Sequence, residues 1–298
     1  MIKLISLVSR HTKLFFKDKG TFLPSLIAPL ILLMLFVTFL ARVYRNSFKS
    51  VIPAGSHVPA ELINGFVGGW LLSSLLAVCC VTVAFGANTI MVQDRILGAR
   101  ADLTIAPVRK SVLGLSYYIS TVVITAIICY VALGFGFIYL HSVGWYLTNS
   151  DVLNIMLDVM IMVFFGTALS PVVLYFVKSQ GGVTAVATIV SSTYGFICGA
   201  YMPISSFSKS IQTVIEYLPG TYGTILMHKH LMGSPLDKME DKYLPDQMVK
   251  AIRDAFDCNL YVNGSKISTG IMYAVICGTV AALIILYLII NVIRRKKA

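Results

Sequence analysis

Charge is scarce in this sequence. Asp, Glu, Lys and Arg make up 12% of its 298 residues, against about a quarter in soluble domains. A chain that is 57% hydrophobic with a mean hydropathy of +0.82 reads as a polytopic membrane protein rather than a water-soluble fold. No GxxxxGK[ST] phosphate loop occurs, so the sequence offers no nucleotide site of that kind. No metal-type CxxC spacing occurs either. Cys79, Cys80, Cys129, Cys198 and Cys277 lie within or beside apolar runs as small hydrophobes, and only Cys258 falls clearly outside them, which excludes a disulfide framework within the chain.

What is present is a set of apolar runs, each near the roughly 20 residues that a bilayer core demands. Six candidate spans run from Thr21 to Ala41, Leu62 to Ala87, Val112 to Leu140, Val152 to Phe176, Val183 to Ala200 and Thr269 to Val292, and none contains Lys or Arg. Basic residues between them set the orientation. Alternate segments hold Lys3, Arg10, Lys13, Lys17 and Lys19, then Arg95, Arg100, Arg109 and Lys110, then Lys178, then Arg294, Arg295, Lys296 and Lys297. The opposite short loops hold only Arg42, Arg45 and Lys49. Both termini and the 93–110 loop are therefore expected in the cytoplasm. The net charge of +11 serves topology and anionic lipid contact rather than nucleic acid.

In chain order, residues 1–19 read as a basic amphipathic helix in the membrane interface rather than a signal peptide, because the basic region is long and the apolar run after it spans 21 residues. Pro24 and Pro29 predict a bend early in the first span. Gly65, Gly68 and Gly69 give the second span a close-approach face, for packing within the monomer or for dimerisation. In the fourth span Asn154 and Asp158 stand one turn apart, and Asp158, about 10 Å from the outer end at 1.5 Å per residue, is expected to reach water. Ser191, Gly195 and Gly199 form a small-residue stripe on the fifth span. Residues 201–268 predict a re-entrant outer helical hairpin broken at Pro219–Gly220, followed by a small external module from Gly233 with one helix over Asp246 to Phe256. The fold expected is thus all-α, a single permease domain of six transmembrane helices with an N-terminal interfacial helix.

The 93–110 segment, QDRILGARADLTIAPVRK, is the only long charged stretch between two membrane-length runs. If it is helical, Ile96, Leu97, Leu103 and Ile105 make an apolar face beside Asp94, Arg95, Arg100 and Asp102. Such a face suits a partner protein.

Three features together resemble the type-2 permeases of ATP-binding-cassette (ABC) transporters. They are RHTKLFFKDKGTFLPSLIAPLILLMLF at Arg10 to Phe36, the loop with Asp94 and Arg95 ahead of Gly98, Leu103 and Pro107, and GAYMPISSFSKSIQTVIEYLPGTYG at Gly199 to Gly223. The chain departs from the family's pattern in having Ile96 where an acid often precedes the glycine, and in a longer external module. The resemblance implies a coupling helix at 93–110, with Asp94, Arg95, Gly98, Arg100, Asp102, Leu103, Ile105 and Pro107 contacting a cytoplasmic ATPase. It implies a second permease subunit and export of a hydrophobic or amphipathic substrate such as a drug, antibiotic, peptide, lipid or glycan. ATP and Mg would sit on the partner, no cofactor or metal on this chain, and no enzyme activity would be its own. Asn154, Asp158, Ser191, Gly195 and Gly199 are the candidate pathway residues.

Two other classes compete. An ion-coupled secondary transporter needs ionisable groups near the midplane, where Asp158 alone is on offer. A membrane enzyme needs a constellation, and the nearest is His228 with His230 beside Lys229, with no third ligand evident.

Overall fold

The structure, a computed structural model, describes residues 2–51, 58–99, 102–103, 109–262 and 264–294. The chain opens with α1 (Ile2–Lys17), which ends where Asp18 caps α2 (Lys19–Leu35) by accepting from the Gly20 N–H at 3.0 Å. Helix continues through both Pro24 and Pro29. The irregularity comes later, in a π-helical stretch at Phe36–Leu40 that leads directly into α3 (Ala41–Val51). Helix therefore continues ten residues past Ala41, the expected end of the first span.

At the centre lies α4 (Ala60–Ala87), an apolar helix buried almost all round, as a helix without a polar face must be. It is surrounded by α2, α6 (Lys110–Val143), α7 (Asn149–Leu174), α8 (Gln180–Ile197) and α10 (Pro219–Lys242). Its glycines serve packing inside this chain. A Cβ at Gly69 would fall 2.5 Å from the Leu231 carbonyl oxygen of α10, and one at Gly65 2.8 Å from the Gly144 carbonyl oxygen.

Five helical segments among the described residues are long and apolar enough to cross a membrane: Lys19–Asn46, Ala60–Ile96, Ser111–Val143, Asn149–Leu174 and Thr269–Ile290, the last lying in α12 (Thr269–Arg294). The expected fifth span is α8, shorter than these and diluted by Thr184, Thr188, Ser191, Ser192 and Thr193. It stops at Ile197. Gly199, with φ +74°, turns the chain in the left-handed region, and the Ala200 and Tyr201 N–H groups both bond back to the Gly195 carbonyl at 2.9 Å. Gly195 and Gly199 thus build a helix end, with the Tyr201 ring folded back against Gly195.

After a 3-10 turn at Ile204–Ser206 comes α9 (Lys209–Glu216), and Pro219 then occupies the first turn of α10 rather than simply breaking a helix. That helix runs through Gly233 to Lys242, so the apolar hairpin and the polar segment share it. The polar segment continues as α11 (Asp246–Ala255) and a two-residue hairpin, β1 (Tyr261–Val262) antiparallel to β2 (Ser265–Lys266). It is fastened by aromatic packing: Phe256 stacks edge-on against Phe66 of α4 at 5.0 Å, Phe48 of α3 lies 4.9 Å from Phe66, and Tyr44 lies 4.1 Å from Trp70. Asp257, buried and at φ 53°, accepts from the Ile204 N–H at 2.7 Å. Burial pushes its carboxyl up to about 7, with that N–H pulling the other way.

Candidate functional site

The charged loop grows from the central helix. After Ala87 the chain kinks at Asn88 and continues as α5 (Thr89–Ile96), whose Ile90, Met91 and Val92 are buried. Gly98, at φ +81°, ends it. Nothing lies within 4 Å of a Cβ placed there, so glycine is needed for backbone conformation and not for space. Helix resumes at once, with residues 99 and 102–103 helical and the Asp102 N–H 3.4 Å from the Gly98 carbonyl. Asp102 is exposed, whereas Leu103 packs half-buried against the core. Arg100, Ile105 and Pro107 lie outside the described residues.

Asp94, at the root of this loop, faces inward and is 6% exposed. Its carboxylate receives Arg10 of α1 through two bonds, Nη1 to Oδ2 at 2.8 Å and Nη2 to Oδ1 at 3.2 Å. The Tyr117 hydroxyl of α6 donates to Oδ2 at 2.7 Å. One carboxylate thus joins α1, α5 and α6.

Beside it His11 is enclosed, stacked on the Tyr117 ring at 4.2 Å. Arg10 can only donate, so its Nη1, 3.1 Å from His11 Nδ1, makes that nitrogen the acceptor. The proton then sits on Nε2 and is given to Ser116 Oγ at 3.2 Å, whose hydroxyl in turn donates to the Leu113 carbonyl at 2.7 Å. Burial first, and then the Arg10 charge, lower His11 to about 4, while Asp94 opposes them. At neutral pH the ring is uncharged, and its 3.8 Å approach to Asp94 is no ion pair.

Arg95 also turns inward. Its Nη1 bonds the Tyr175 and Val177 carbonyls at 2.9 and 3.3 Å, and the guanidinium lies 5.7 Å from the Tyr175 ring centroid. These carbonyls lie just beyond the C-terminus of α7, where a cation is favoured. The first two charges of the loop are therefore engaged within the chain.

The sequence reading missed Arg10, His11, Ser116 and Tyr117. A signal was available in α1, where Leu7, His11 and Phe15 recur every four residues and form its buried seam while Ile5 and Leu14 stay exposed. A histidine in the middle of an apolar seam marks a buried polar partner.

The second cluster contains Asp158, which is 1% exposed and not in reach of water as its distance from the helix end implied. His230 Nδ1 of α10 stands 2.6 Å from its Oδ2, and the Tyr273 hydroxyl of α12 donates to its Oδ1 at 2.6 Å. Depth along one helix says nothing of what the neighbouring helices cover. About two to three turns outward, the Thr148–Asp151 capping box starts α7, and Ser234 donates to Asp151 at 2.5 Å. Asn154 is half-buried and outside the cluster. His228, next but one to His230, faces elsewhere, buried against Ser74 at 3.4 Å and the Trp70 ring at 6.0 Å. The two histidines share no site.

Between α2, α4 and α8 lies a cavity of 680 Å³ lined by Thr21, Ser25, Thr82, Thr184, Thr188 and Ser191, among others. On α8, the Thr188 and Ser192 hydroxyls bond back to carbonyls of the preceding turn at 2.9 and 2.8 Å, as hydroxyls do in an apolar setting. Of the candidate pathway residues, only Ser191 lines this cavity.

Residues 49–293 match the family model described as ABC-2 family transporter protein. The chain belongs to that family. It is accordingly a membrane-embedded transport subunit of ABC type without catalysis of its own, in a family whose members work with ABC ATPases. The match takes in Asp94, Ser116 and Tyr117 but begins after α1 and α2, so the Arg10 side of the cluster lies outside it. No curated protein matches this ABC-2 chain.

Proposed function

We propose that the chain is the permease subunit of an ATP-driven exporter, and that a separate cytoplasmic ATPase, holding ATP and Mg, grips the 93–110 loop. Both termini and the loop face the cytoplasm of a prokaryote. α8 completes a sixth crossing, and the 201–232 hairpin closes the outer end. A second permease subunit faces this one, and an amphipathic substrate such as a drug, lipid, peptide or glycan passes along the hydroxyl-lined cavity between α2, α4 and α8.

The observation that carries this reading is the three-way junction at Asp94. A loop that transmits force must be stiff at its roots, and here one carboxylate binds the helix entering the loop to the helix leaving it and to α1. Leu103, half-buried beside exposed Asp102, supplies the apolar anchor. Interface anchors typically cost about 2 kcal/mol or more when truncated.

The test is capture of the ATPase by Leu103→Asp and Arg109→Ala variants at equal membrane abundance, with transport measured in parallel. Leu103→Asp should release the ATPase or uncouple hydrolysis from transport, and Arg109→Ala should do much less. Full binding and full transport by Leu103→Asp would remove the loop as the coupling element. Orientation is checked separately by single cysteines at Lys110 and Lys250, which should label from opposite sides of the membrane.

A further inference from the structure

One stripe of α1 is not used by the seam of Leu7, His11 and Phe15. Leu4, Ile5, Val8, Ser9, Thr12 and Lys13 recur at helical spacing and share a face, and with Ile119 of α6 they wall a cavity of 420 Å³. That volume is within the range of about 300 to 1,000 Å³ typical of ligand sites. Its chemistry is graded along the helix: Leu4, Ile5 and Val8, with Ile119 opposite, are apolar, whereas Ser9, Thr12 and Lys13 one turn on are polar. Lys13 is exposed at the polar end, Lys17 is exposed one turn beyond, and no acidic side chain lines the walls.

We propose that this groove binds one anionic phospholipid, with an acyl chain against Leu4, Ile5, Val8 and Ile119 and the phosphate against Lys13. A chain alone would need only the apolar half, and a free anion only the polar half. The grading calls for a molecule with both, and a cation at the mouth favours a net negative headgroup. The inference rests on α1 lying at the membrane surface, as proposed above. It adds a consequence: because α1 also carries Arg10 to Asp94, a lipid bridging α1 and α6 holds the three-way junction together. The anionic lipid content of the membrane would then bias the stiffness of the ATPase-gripping loop.

The experiment uses the purified full chain and phosphatidylglycerol carrying a photoactivatable acyl chain, with crosslinked peptides mapped by mass spectrometry. Crosslinks should concentrate on residues 4–8 and on Ile119, and unlabelled phosphatidylglycerol should compete better than phosphatidylcholine. Lys13→Glu should weaken phosphatidylglycerol retention by about fivefold or more, the worth of one basic residue near an anionic surface, and abolish the preference over phosphatidylcholine. Ile119→Trp should reduce retention of both lipids. The wild-type crosslink map requires no variant to fold. Crosslinks scattered over the spans, equal competition by the two lipids, an unchanged preference in Lys13→Glu, or equal competition by inorganic phosphate would each overturn the proposal. None of these outcomes bears on whether Leu103→Asp releases the ATPase, so failure here and failure of the coupling reading are separable.

Discussion

Of the buried aspartates among the described residues, Asp158 and Asp94 are set apart by their partners. Asp158 sits among packed helices, and its partners come from α10 and α12, which themselves pack on each other and on α7. Asp94 sits at the end of the bundle, and its main partner arrives on α1, whose Arg10 side chain keeps 34% of its surface in solvent. The first has no way to open without parting three helices. The second opens if one short surface helix lifts. Similar chemistry therefore sits in one place that three packed helices enclose and in another that a surface helix covers.

The contrast breaks most visibly at Asp158. Asp158→Ala would leave a part-buried His230 N–H and a part-buried Tyr273 O–H without an acceptor, each costing up to about 1 to 3 kcal/mol. Lower yield and a large fall in melting temperature in detergent are expected. A melting temperature equal to that of the parent protein would show the trio to be dispensable.

A smaller effect separates two neighbours on α9. Ile215 is 1% exposed and Ile211 is 48% exposed. Placing Asp at Ile215 should cost on the order of 2 to 3 kcal/mol if the site is as apolar as a bilayer interior, and Asp at Ile211 should cost clearly less. Equal melting temperatures for the two variants would mean that the hairpin has no buried face.

The smallest effect is the response to pH, and its sign differs between the two ends. His11 is lowered from 6.5 to about 4, so its contribution to stability is present above pH 6.5 and is lost as pH falls toward 4. Asp257 is raised from 3.8 to about 7, so its contribution is present below pH 3.8 and is lost as pH rises through 7. Hydrogen exchange at pH 5 and pH 8 should find α1 more open at the lower value and the Ile204–Ser206 turn more open at the higher one. Parallel responses at the two ends would contradict the assignment.

The sequence carried the parts of this structure that depend on neighbours in the chain. Apolar runs of membrane length located five long spans, and the charged interruption at 93–110 located the loop. Gly98 and the polar segment after Gly233 were also visible, although α10 runs across the boundary expected there. What stayed hidden depends on distant residues. Arg10 and Asp94 are 84 positions apart, and Asp158 meets partners 72 and 115 positions away. Counting residues from a helix end placed Asp158 within reach of water because the count ignores α10 and α12. Likewise Asp94 and Arg95 looked like surface charges for a partner, since nothing local reveals that Arg10 and the carbonyls past α7 already hold them.

The most direct test asks whether α1 and the root of the loop move as one. Hydrogen exchange of α1 would be measured in the parent protein, Arg10→Ala, Asp94→Asn and the double variant. Breaking a charge-assisted bond worth about 1.5 to 3 kcal/mol should speed exchange in α1 by roughly ten- to hundredfold in either single variant. The double variant should exchange about as fast as the faster single one, because both changes remove the same interaction. Additive effects, or an α1 that exchanges at the parent rate in Arg10→Ala, would contradict the claim that Asp94 joins the N-terminal helix to the loop.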